Sequence, residues 1–364
     1  MRILVVNAGS SSLKLRVLDR DDAVVAKADL GPVDEPSAHS IGAAVEALGA
    51  VDAVGHRVVH GGTRFTAPAL LDDDVVAAIR DLAQLAPLHQ PPALAAIDAV
   101  RVVLPDLPAV ACFDTAFHAS LPVAAATYAV PHRWREELGV RRYGFHGLSH
   151  AYAARRASRL LERPIDELRI VTCHLGSGAS LAAVAGGRSV DTTMGFTPLE
   201  GLVMATRSGT VDPGLVLWLQ QHAGLATEEV LDGLEHGGGL LALTGTGDMR
   251  AVLAAVMDDD AAARRGLEVY LHRLRAGIAA MAAAMGGIDV LVFTGGVGER
   301  AADVRAGAAD GLEFLGVAID AGRNENGSAD REISTEAAAV RTLVVAARED
   351  IEIANGVRAV VELP

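Results

Sequence analysis

The chain has 364 residues, of which 51% are hydrophobic and only 4% aromatic, and its 46 acidic and 32 basic residues give a formal net charge of -14. This length and apolar fraction permit two domains with aliphatic cores. A chain this acidic is a poor candidate for general binding to nucleic acid or membrane surfaces, and any anion site must concentrate its own positive groups.

The N-terminal sequence and the cysteines indicate the compartment. The first residues contain no basic segment followed by an apolar core, and no apolar run reaches the ~18 residues that a membrane span needs. Cys112 and Cys173 are not spaced as a metal motif, which favours buried core positions in a reducing compartment. We therefore expect a soluble cytoplasmic protein.

Strand and helix patterns alternate along the chain, which predicts the α/β class. A short apolar run at 3–6, a small-residue turn at 8–12 and an alternating run at 13–18 predict a β-hairpin. A second hairpin, with strands at 169–173 and 181–184 and a tip at 174–180, is a weak sign of internal duplication. Between the two hairpins, we predict a strand at 51–59, a helix that begins with two prolines and ends at 103, and a strand at 109–113. After the second hairpin, we predict a strand at 188–191, a helix at 267–285, a strand at 289–293 and a glycine turn at 295–298 that leads into a helix. A strand at 341–346 and a helix from 350 follow.

Three small-residue turns, each after a strand, are candidates for holding phosphate. Residues 7–14 offer backbone N–H groups, serine hydroxyls and the charge of Lys14, without the Walker A spacing. Residues 174–180 lack the third glycine of a dinucleotide fingerprint, whereas residues 294–300 precede a helix and suit a nucleotide at its N-terminus. A serine-rich turn alone is more often only a turn. Three such turns together favour a nucleotide site.

Two arginines lie among small residues instead of on a charged helical face. Arg57 is flanked by Val-Val and His-Gly-Gly, and Arg207 by Thr and Ser-Gly. A lone arginine is usually a solvated or paired surface group. The planar guanidinium suits carboxylates and phosphates, so these two positions are predicted as anchors of an anion site.

Histidines cluster near the same segments. His146 and His150 have i, i+4 spacing, but no glutamate follows His146, so a zinc protease site is improbable. Hydrogen-bonded structural roles are the simpler interpretation of His118 and His150. We place His146, between Phe145 and a glycine, in the site.

Six segments together resemble one family, the acetate kinases of the actin-like superfamily. The resemblance runs in order over essentially the whole chain and implies two related actin-like (ribonuclease H-like) domains with mixed sheets flanked by helices, and an active site in the interdomain cleft. It implies a first domain at residues 1–117 plus 350–364 and a second at 118–349. The segments are Asn-Ala-Gly-Ser-Ser-Ser-Leu-Lys at 7–14, Gly-His-Arg-Val-Val-His-Gly-Gly at 55–62, Phe-Asp-Thr-Ala-Phe-His at 113–118, Tyr-Gly-Phe-His-Gly-Leu-Ser-His at 143–150, Thr-Pro-Leu-Glu-Gly-Leu-Val-Met at 197–204 and Thr-Arg-Ser-Gly at 206–209.

The resemblance also implies roles for individual residues. It implies three catalytic residues, an arginine for the substrate carboxylate, a metal side that takes Mg²⁺ with Mn²⁺ as an alternative, an apolar pocket for the alkyl end of the acid, and loops that hold ATP. The catalytic residues are Asp114, His146 and Arg207; Arg57 binds the carboxylate; Asn7 and Glu349 are on the metal side; Val59, Leu88, Phe145 and Pro198 form the pocket; and Ser10, Ser12, Lys14, His174, Gly176, Ser177, Gly178, Asp248, Met249, Arg250, Gly296, Val297, Gly298, Glu299 and Arg300 hold ATP.

The implied reaction is the reversible transfer of the γ-phosphoryl of ATP to acetate, which gives acetyl phosphate and ADP by direct in-line attack of the carboxylate, in a homodimeric enzyme. A carboxylic acid with a pKa of about 4–5 is already ionised at neutral pH, so the attacking oxygen needs no general base. Catalysis of phosphoryl transfer then consists mainly of positioning and of neutralising charge.

Departures from the family pattern leave alternatives open, mostly on the nucleotide side. Ser177 and Arg300 each replace a usual asparagine, and further departures occur at Thr210, Arg348 and Asp350. The alternatives are a propionate or butyrate kinase, or an acetate kinase that uses GTP or pyrophosphate. A non-catalytic actin-like nucleotide-binding regulator would leave the arginine and the apolar pocket without a purpose, and a sugar kinase is disfavoured because the acceptor site suits an anion.

Overall fold

The computed structural model describes residues 1–8, 13–31, 38–85, 90–327 and 330–362. The chain forms two compact units, called unit 1 and unit 2 below. Unit 1 comprises Met1–Ala119, Phe145–Tyr152 and Arg348–Pro364, and unit 2 comprises Ser120–Gly144 and Ala153–Ala347. The segment 145–152 therefore packs with unit 1, although it falls within the second predicted domain.

The described strands and helices alternate as the sequence predicts. The strands are β1 (Ile3–Ala8), β2 (Leu13–Leu18), β3 (Val24–Leu30), β4 (Ala53–Val58), β5 (Ala69–Leu70), β6 (Ala109–Phe113), β7 (Arg169–Leu175), β8 (Ala179–Ala185), β9 (Arg188–Thr192), β10 (Val290–Thr294), β11 (Arg331–Glu332) and β12 (Arg341–Val344). The helices are α1 (Ala38–Leu48), α2 (Asp73–Asp81), α3 (Gln90–Val103), α4 (Val123–Ala126), α5 (His132–Glu136), α6 (Gly147–Leu160), α7 (Pro213–Gln221), α8 (Thr227–Glu235), α9 (Gly239–Thr244), α10 (Met249–Met257), α11 (Ala261–Ala284), α12 (Gly295–Arg300), α13 (Ala302–Ala309), α14 (Ala321–Glu325) and α15 (Glu349–Val361), with short 3-10 helices at Leu82–Leu85, Ala116–Ser120, Ile165–Glu167 and Glu313–Leu315.

Each unit contains one six-stranded mixed sheet, and the two sheets have the same topology. The order is β3-β2-β1-β4-β6-β5 in unit 1 and β9-β8-β7-β10-β12-β11 in unit 2. In both, the first three strands are antiparallel, the next two join in parallel and the last is antiparallel. Internal duplication, only weakly indicated by the paired hairpins, is thus visible as one strand order used twice.

In unit 1, helices cover both faces of the sheet with aliphatic side chains. Ile3 and Val5 pack with Cys112 against Ile353 and Val357 of α15. The alternate residues of the same strands pack towards α1 and α3. Gly55 permits the close approach of α15, because a Cβ there would lie 2.5 Å from a methyl carbon of Ile353. Both cysteines are buried free thiols, as predicted, and burial raises the pKa of Cys112 to about 12.

One described segment bears on the expectation about membrane spans. By length and composition alone, the 19 residues Gly239–Met257 could cross a membrane. The fold divides this stretch into α9 and α10, because Gly245 has a left-handed φ of 80° and Asp248 caps a new helix by accepting from the backbone N–H of Arg250. A segment interrupted by a polar turn in this way is weak evidence for a span.

Candidate active site

Four predicted site residues meet at one edge of the unit 1 sheet. Asn7 lies near the end of β1, Arg57 near the end of β4, and Asp114 directly follows β6. These three strands are parallel, so their carboxyl ends meet at the same edge. Because side chains alternate along a strand, all three residues fall on the face that packs against α15. Glu349 is the first residue of that helix.

Arg57 is the centre of this group. Its Nε donates to Oδ1 of Asp114 at 3.0 Å and its Nη2 donates to Oδ2 at 2.6 Å, a bidentate pair. Its Nη1 donates to Oδ1 of Asn7 at 3.2 Å and lies 3.7 Å from Oε2 of Glu349. The Asn7 amide in turn donates to Oε2 of Glu349 at 2.9 Å. These bonds use three of the five guanidinium N–H groups, so two make no hydrogen bond to the described residues, although Nη1 is within ion-pair distance of Glu349.

The pKa values of Arg57 and Asp114 depend on burial and on the two carboxylates that face one guanidinium. Asp114 is 1% exposed, and burial raises its pKa against the opposing effect of Arg57, while the Glu349 charge raises it further. Burial acts to lower the pKa of Arg57, but the charges of Asp114 and Glu349 outweigh it and raise the pKa. Two carboxylates share one guanidinium, so the group favours an additional cation.

His146 has a left-handed backbone conformation, and Asp114 accepts hydrogen bonds from the N–H groups of His146 and of the residue that follows it. Its φ is 56°, an uncommon value for a residue other than glycine, and its backbone N–H donates to the Asp114 carboxylate. The next residue, Gly147, donates from its N–H to the Asp114 carbonyl at 2.9 Å, and a Cβ on Gly147 would lie 2.1 Å from that oxygen. The position of the His146 ring therefore depends on a glycine and on Asp114.

The predicted apolar pocket is described only in part. Val59 and Phe145 are both buried in unit 1, and the Phe145 ring meets the His60 ring edge-on at 5.5 Å. Leu88 lies outside the described residues, as do Ser10 and Ser12 of the first phosphate turn. Lys14 is exposed in β2 opposite Asn7, so the two side chains are on the same face of the sheet.

Buried polar side chains support the backbone at His60, Gly61 and Phe145, and the sequence did not single out two of them, Gln90 and Thr115. The Gln90 side chain accepts from the His60 N–H at 3.3 Å and donates to its carbonyl at 2.9 Å. The Thr115 hydroxyl accepts from the Gly61 N–H at 2.9 Å. The Nε2 of His118 is 3.0 Å from the Phe145 carbonyl, which agrees with the hydrogen-bonded role predicted for it.

In unit 2, the predicted residues Pro198 and Arg207 are directly joined. The Nη1 of Arg207 donates to the Pro198 carbonyl at 3.2 Å and lies 3.8 Å from the Met204 sulfur. Burial lowers the pKa of Arg207, with Glu235 acting in the opposite direction. The carbonyl bond holds the Arg207 guanidinium beside Pro198 and does not remove its charge.

The second and third phosphate turns are also in unit 2. Gly176, Ser177 and Gly178 form the short tip of the β7–β8 hairpin, closed by a bond from the Gly176 N–H to the Gly178 carbonyl at 2.9 Å. His174 lies inside β7, opposite Thr294 of β10. Asp248 accepts from the backbone and the guanidinium of Arg250, while Met249 is buried.

The glycine turn predicted at 295–298 is part of a helix. Residues Gly295–Arg300 form α12 itself, since Gly295 takes a left-handed φ of 78° directly after the strand and the helix starts there. Gly296 and Arg300 are exposed, Gly298 is buried, Val297 is partly buried, and the Glu299 carboxylate accepts from the Ala347 N–H at 3.0 Å. The prediction of a glycine turn before a helix was therefore wrong, because residues 295–298 are themselves the start of the helix.

A divalent metal fits the unit 1 group. Among the described residues, no cluster of three or more His, Cys, Asp or Glu side chains forms a metal cage. Mg²⁺ rarely uses such a cage and binds through one or two carboxylates while keeping several waters. Asp114, Glu349 and the Asn7 amide oxygen supply this hard-oxygen donor set, and the carboxylates exceed the guanidinium in charge.

Two solved structures with high similarity to this chain are kinases of short-chain acids. The chain is similar to acetate kinase from Porphyromonas gingivalis, with a TM-score of 0.91, 34% identity and 99% of each chain covered. It is equally similar to a propionate kinase from Francisella tularensis, with a TM-score of 0.91, 32% identity, and 98% and 99% of the two chains covered.

Sequence comparison defines the family. An acetate kinase from Clavibacter michiganensis is 45% identical over 385 aligned residues, with 97% of each chain covered, and one from Thermoanaerobacterium thermosaccharolyticum is 40% identical, with 100% of this chain and 99% of the relative covered. The model of the Acetokinase family matches residues 37–355. The chain belongs to the acetokinase family, as its motifs predict.

Proposed function

We propose that the protein is an acetate kinase, a phosphotransferase that moves the γ-phosphoryl of ATP reversibly onto the carboxylate of acetate. Family membership supports the reaction class, and the relatives named acetate kinase at 40–45% identity support acetate as the acceptor.

The observation that carries the proposal is the Arg57 group. A guanidinium with two N–H groups to spare can bind a carboxylate through its planar fork. Val59 and Phe145 provide apolar surface in the same unit for a short alkyl end. We assign Arg57 to the acid carboxylate, and Val59, Leu88, Phe145 and Pro198 to its alkyl side.

The catalytic roles follow from the charge that phosphoryl transfer must stabilise. The acid oxygen is already ionised, so the protein contributes position and positive charge. Arg207 and His146 stabilise the transferring phosphoryl, and Asp114 holds Arg57 and the His146 backbone in place. Mg²⁺, or Mn²⁺ in its place, would be held on the side of Asn7 and Glu349, where it supplies charge neutralisation between the phosphates.

The nucleotide contacts are assigned to the three small-residue segments and to α10. Lys14 with Ser10 and Ser12, the hairpin tip Gly176–Gly178 with His174, Asp248–Arg250, and Gly296–Arg300 are proposed to hold ATP.

The experiment is trapping of acyl phosphate with hydroxylamine. Purified protein with ATP and Mg²⁺ is incubated with acetate, propionate or butyrate, and hydroxamate is measured. We expect hydroxamate from acetate at the highest kcat/KM. No acyl phosphate from any acid with any donor would overturn the proposal and favour a non-catalytic nucleotide-binding regulator.

A second candidate acceptor is propionate, because the propionate kinase from Francisella tularensis is as similar in structure as the acetate kinase from Porphyromonas gingivalis. One methylene in an apolar pocket changes discrimination by about 10- to 200-fold. The ratio of kcat/KM for the two acids decides between them. GTP and pyrophosphate are the alternative donors, tested in the same assay.

We also propose that the protein is a cytoplasmic homodimer, and that the α7–α8 hairpin of unit 2 contributes to the interface. No side chain of α7 is buried, although the helix reads Pro-Gly-Leu-Val-Leu-Trp-Leu-Gln-Gln. Leu217 is 55% exposed and Trp218 is 53% exposed, and large apolar and aromatic side chains of this kind are typical of the buried core of an interface. The exposed apolar residues of this hairpin are Leu215, Leu217, Trp218, Leu225 and Leu231.

A further inference from the structure

A half-buried polar cluster in unit 2, outside the residues assigned so far, holds the segment that carries Pro198. Arg142 and Glu200 form an ion pair at 2.7 Å, and the Tyr128 hydroxyl donates to the other carboxylate oxygen of Glu200. The Arg142 guanidinium also lies over the Tyr128 ring at 5.4 Å. Burial and the bond to Glu200 raise the pKa of Tyr128, so the phenol stays protonated at neutral pH.

The cluster binds the backbone of residues 193–196 from several sides. The Nη1 of Arg142 donates to the carbonyls of Thr193 at 3.2 Å and Met194 at 3.0 Å. The Tyr128 hydroxyl accepts from the Phe196 N–H at 3.0 Å. These bonds leave the backbone few alternative positions.

Gly195 packs directly against the side chains of the cluster. A Cβ at this position would lie 1.8 Å from Oε2 of Glu200 and 2.1 Å from the Tyr128 hydroxyl. The Gly195 carbonyl accepts from the Tyr143 N–H at 3.0 Å on its other side. The residue is therefore a glycine because the cluster occupies the space of a side chain.

Two routes connect the cluster to Arg207. Along the chain, the held segment leads to Pro198, whose carbonyl accepts from Arg207. Beyond Glu200, Gly201 donates to the Thr210 hydroxyl at 3.0 Å and accepts from the Thr210 N–H at 3.0 Å, which closes the loop that contains Arg207. Glu200 stands at the junction of the two routes.

We propose that Tyr128, Arg142 and Glu200 are positioning residues that fix Pro198 and the Arg207 guanidinium for phosphoryl transfer. The inference rests on the proposed function, because it assigns the cluster an effect on the same reaction. A displacement of a catalytic group by about 1 Å can cost on the order of a hundredfold in rate. Loss of one hydrogen bond of the cluster should therefore lower kcat strongly while it changes the free energy of unfolding only a little.

The test is Y128F, which removes only the hydroxyl shared by Glu200 and Phe196. We expect kcat for acyl phosphate formation to fall roughly ten- to a hundredfold, with the KM for ATP within about twofold of the wild type. The matched control is Y270F in α11, since the Tyr270 hydroxyl is buried in the same unit without a partner among the described residues. Y270F should keep wild-type kcat.

A double-mutant cycle with R207K separates positioning from general loosening of the fold. If the cluster acts through Arg207, Y128F lowers kcat in the wild-type background but adds little in the R207K background. Equal losses in both backgrounds would contradict the inference. R142K keeps the charge but cannot bridge Glu200 and two carbonyls in the same way, and should show the same non-additivity. It carries the test if Y128F does not fold.

The two levels of failure are distinguishable. A wild type that forms no acyl phosphate contradicts the proposed function. An active wild type with unchanged kcat in both Y128F and R142K contradicts the positioning role and leaves the proposed function intact.

Discussion

Arg57 and Asp114 are joined by two parallel hydrogen bonds, at 3.0 and 2.6 Å, although they belong to different strands and are 57 positions apart in the chain. Asp114 is 1% exposed, so Arg57 supplies the charge that makes a buried carboxylate tolerable. The same ion pair therefore stabilises the fold and contains the guanidinium proposed to bind the acid. Substitutions must separate the effect on stability from the effect on activity.

Arg57→Ala should weaken acid binding and lower turnover, because the carboxylate fork is lost. It should also cost about 3–5 kcal/mol of unfolding free energy, since Asp114 is left buried without its cation. Steady-state kinetics and urea unfolding measure the two effects. Arg207→Ala, whose guanidinium bonds a carbonyl, should instead lower kcat severely with a smaller loss of stability.

The double variant Arg57→Ala/Asp114→Asn is the control for stability. It removes the charge that the single variant leaves unpaired, so it should recover part of the unfolding free energy but no activity. Wild-type kinetics in both Arg57→Ala and Arg207→Ala would contradict the assignment of the acid site.

Gly147→Ala should displace His146 and Asp114, because the new Cβ would lie 2.1 Å from the Asp114 carbonyl. We expect a large fall in kcat together with a loss of stability of about 1–3 kcal/mol. Gly233→Ala in α8 is the matched control. A Cβ there meets nothing within 4 Å, so it should raise stability by roughly 0.5–1 kcal/mol and leave kcat unchanged. Retention of kcat in Gly147→Ala would show that the His146 backbone need not be held.

His56→Leu should reduce the sensitivity of the fold to acid. Burial lowers the pKa of His56 to about 3, and neither ring nitrogen has a partner among the described residues. Between the unfolded value of about 6.5 and pH 3, the unfolded chain binds a proton that the folded chain does not. Stability conferred by the neutral ring is therefore complete above about pH 6.5 and falls as the pH falls, by up to about 1.4 kcal/mol per pH unit.

Urea unfolding from pH 8 to pH 5 measures this slope. His60 and His118, whose pKa values burial lowers to about 4, should keep part of the dependence in the variant. Thr342→Val is the control, because the Thr342 hydroxyl is also buried without a partner among the described residues but does not titrate, so the slope should be unchanged. An unchanged slope in His56→Leu would mean that the ring is solvated or paired in the folded state.

Local patterns were sufficient to predict much of the fold. The alternating run at 13–18 and the glycine-containing tip at 174–180 each predicted a hairpin, and both strand pairs are antiparallel as predicted. Such predictions succeed because side-chain period and turn chemistry are local properties. The family resemblance and the α/β class were confirmed. Arg57 could be singled out by its apolar and small-residue neighbours and Asp114 by the family resemblance, but their bidentate pairing required the parallel register of β4 and β6.

Other features depend on contacts that no local pattern contains. Tyr128 and Arg142 hold the backbone of a segment more than 50 positions later in the chain, so nothing near them in sequence marks the role. The start of α12 at Gly295 is set by β10 and its neighbours, not by helix propensity, which is poor for glycine. The stretch 239–257 is read as two helices only once Gly245 is seen in its left-handed conformation.

Leu217→Glu should dissociate the proposed dimer. Leu217 is 55% exposed on α7, and a carboxylate in the middle of an apolar interface would be desolvated without a partner. Light scattering after size-exclusion chromatography measures the mass. The control is Phe314→Glu, at another exposed apolar side chain of unit 2 outside the α7–α8 hairpin. A dimer that persists in Leu217→Glu excludes α7 from the interface, and a wild-type monomer contradicts the assembly itself.

Arg300→Asn should weaken nucleotide binding without affecting the acid. Arg300 is exposed at the end of α12, where its charge can approach the phosphates only as a solvated group, so we expect the KM for ATP to rise roughly fivefold, equivalent to about 1 kcal/mol. Ser177→Asn, at the exposed tip of the β7–β8 hairpin, should alter the ratio of kcat/KM for ATP, GTP and pyrophosphate. Arg265→Asn, an exposed position in α11, is the matched control. If the KM for acetate changes while the KM for ATP does not, α12 belongs to the acid side of the site and the nucleotide assignment is wrong.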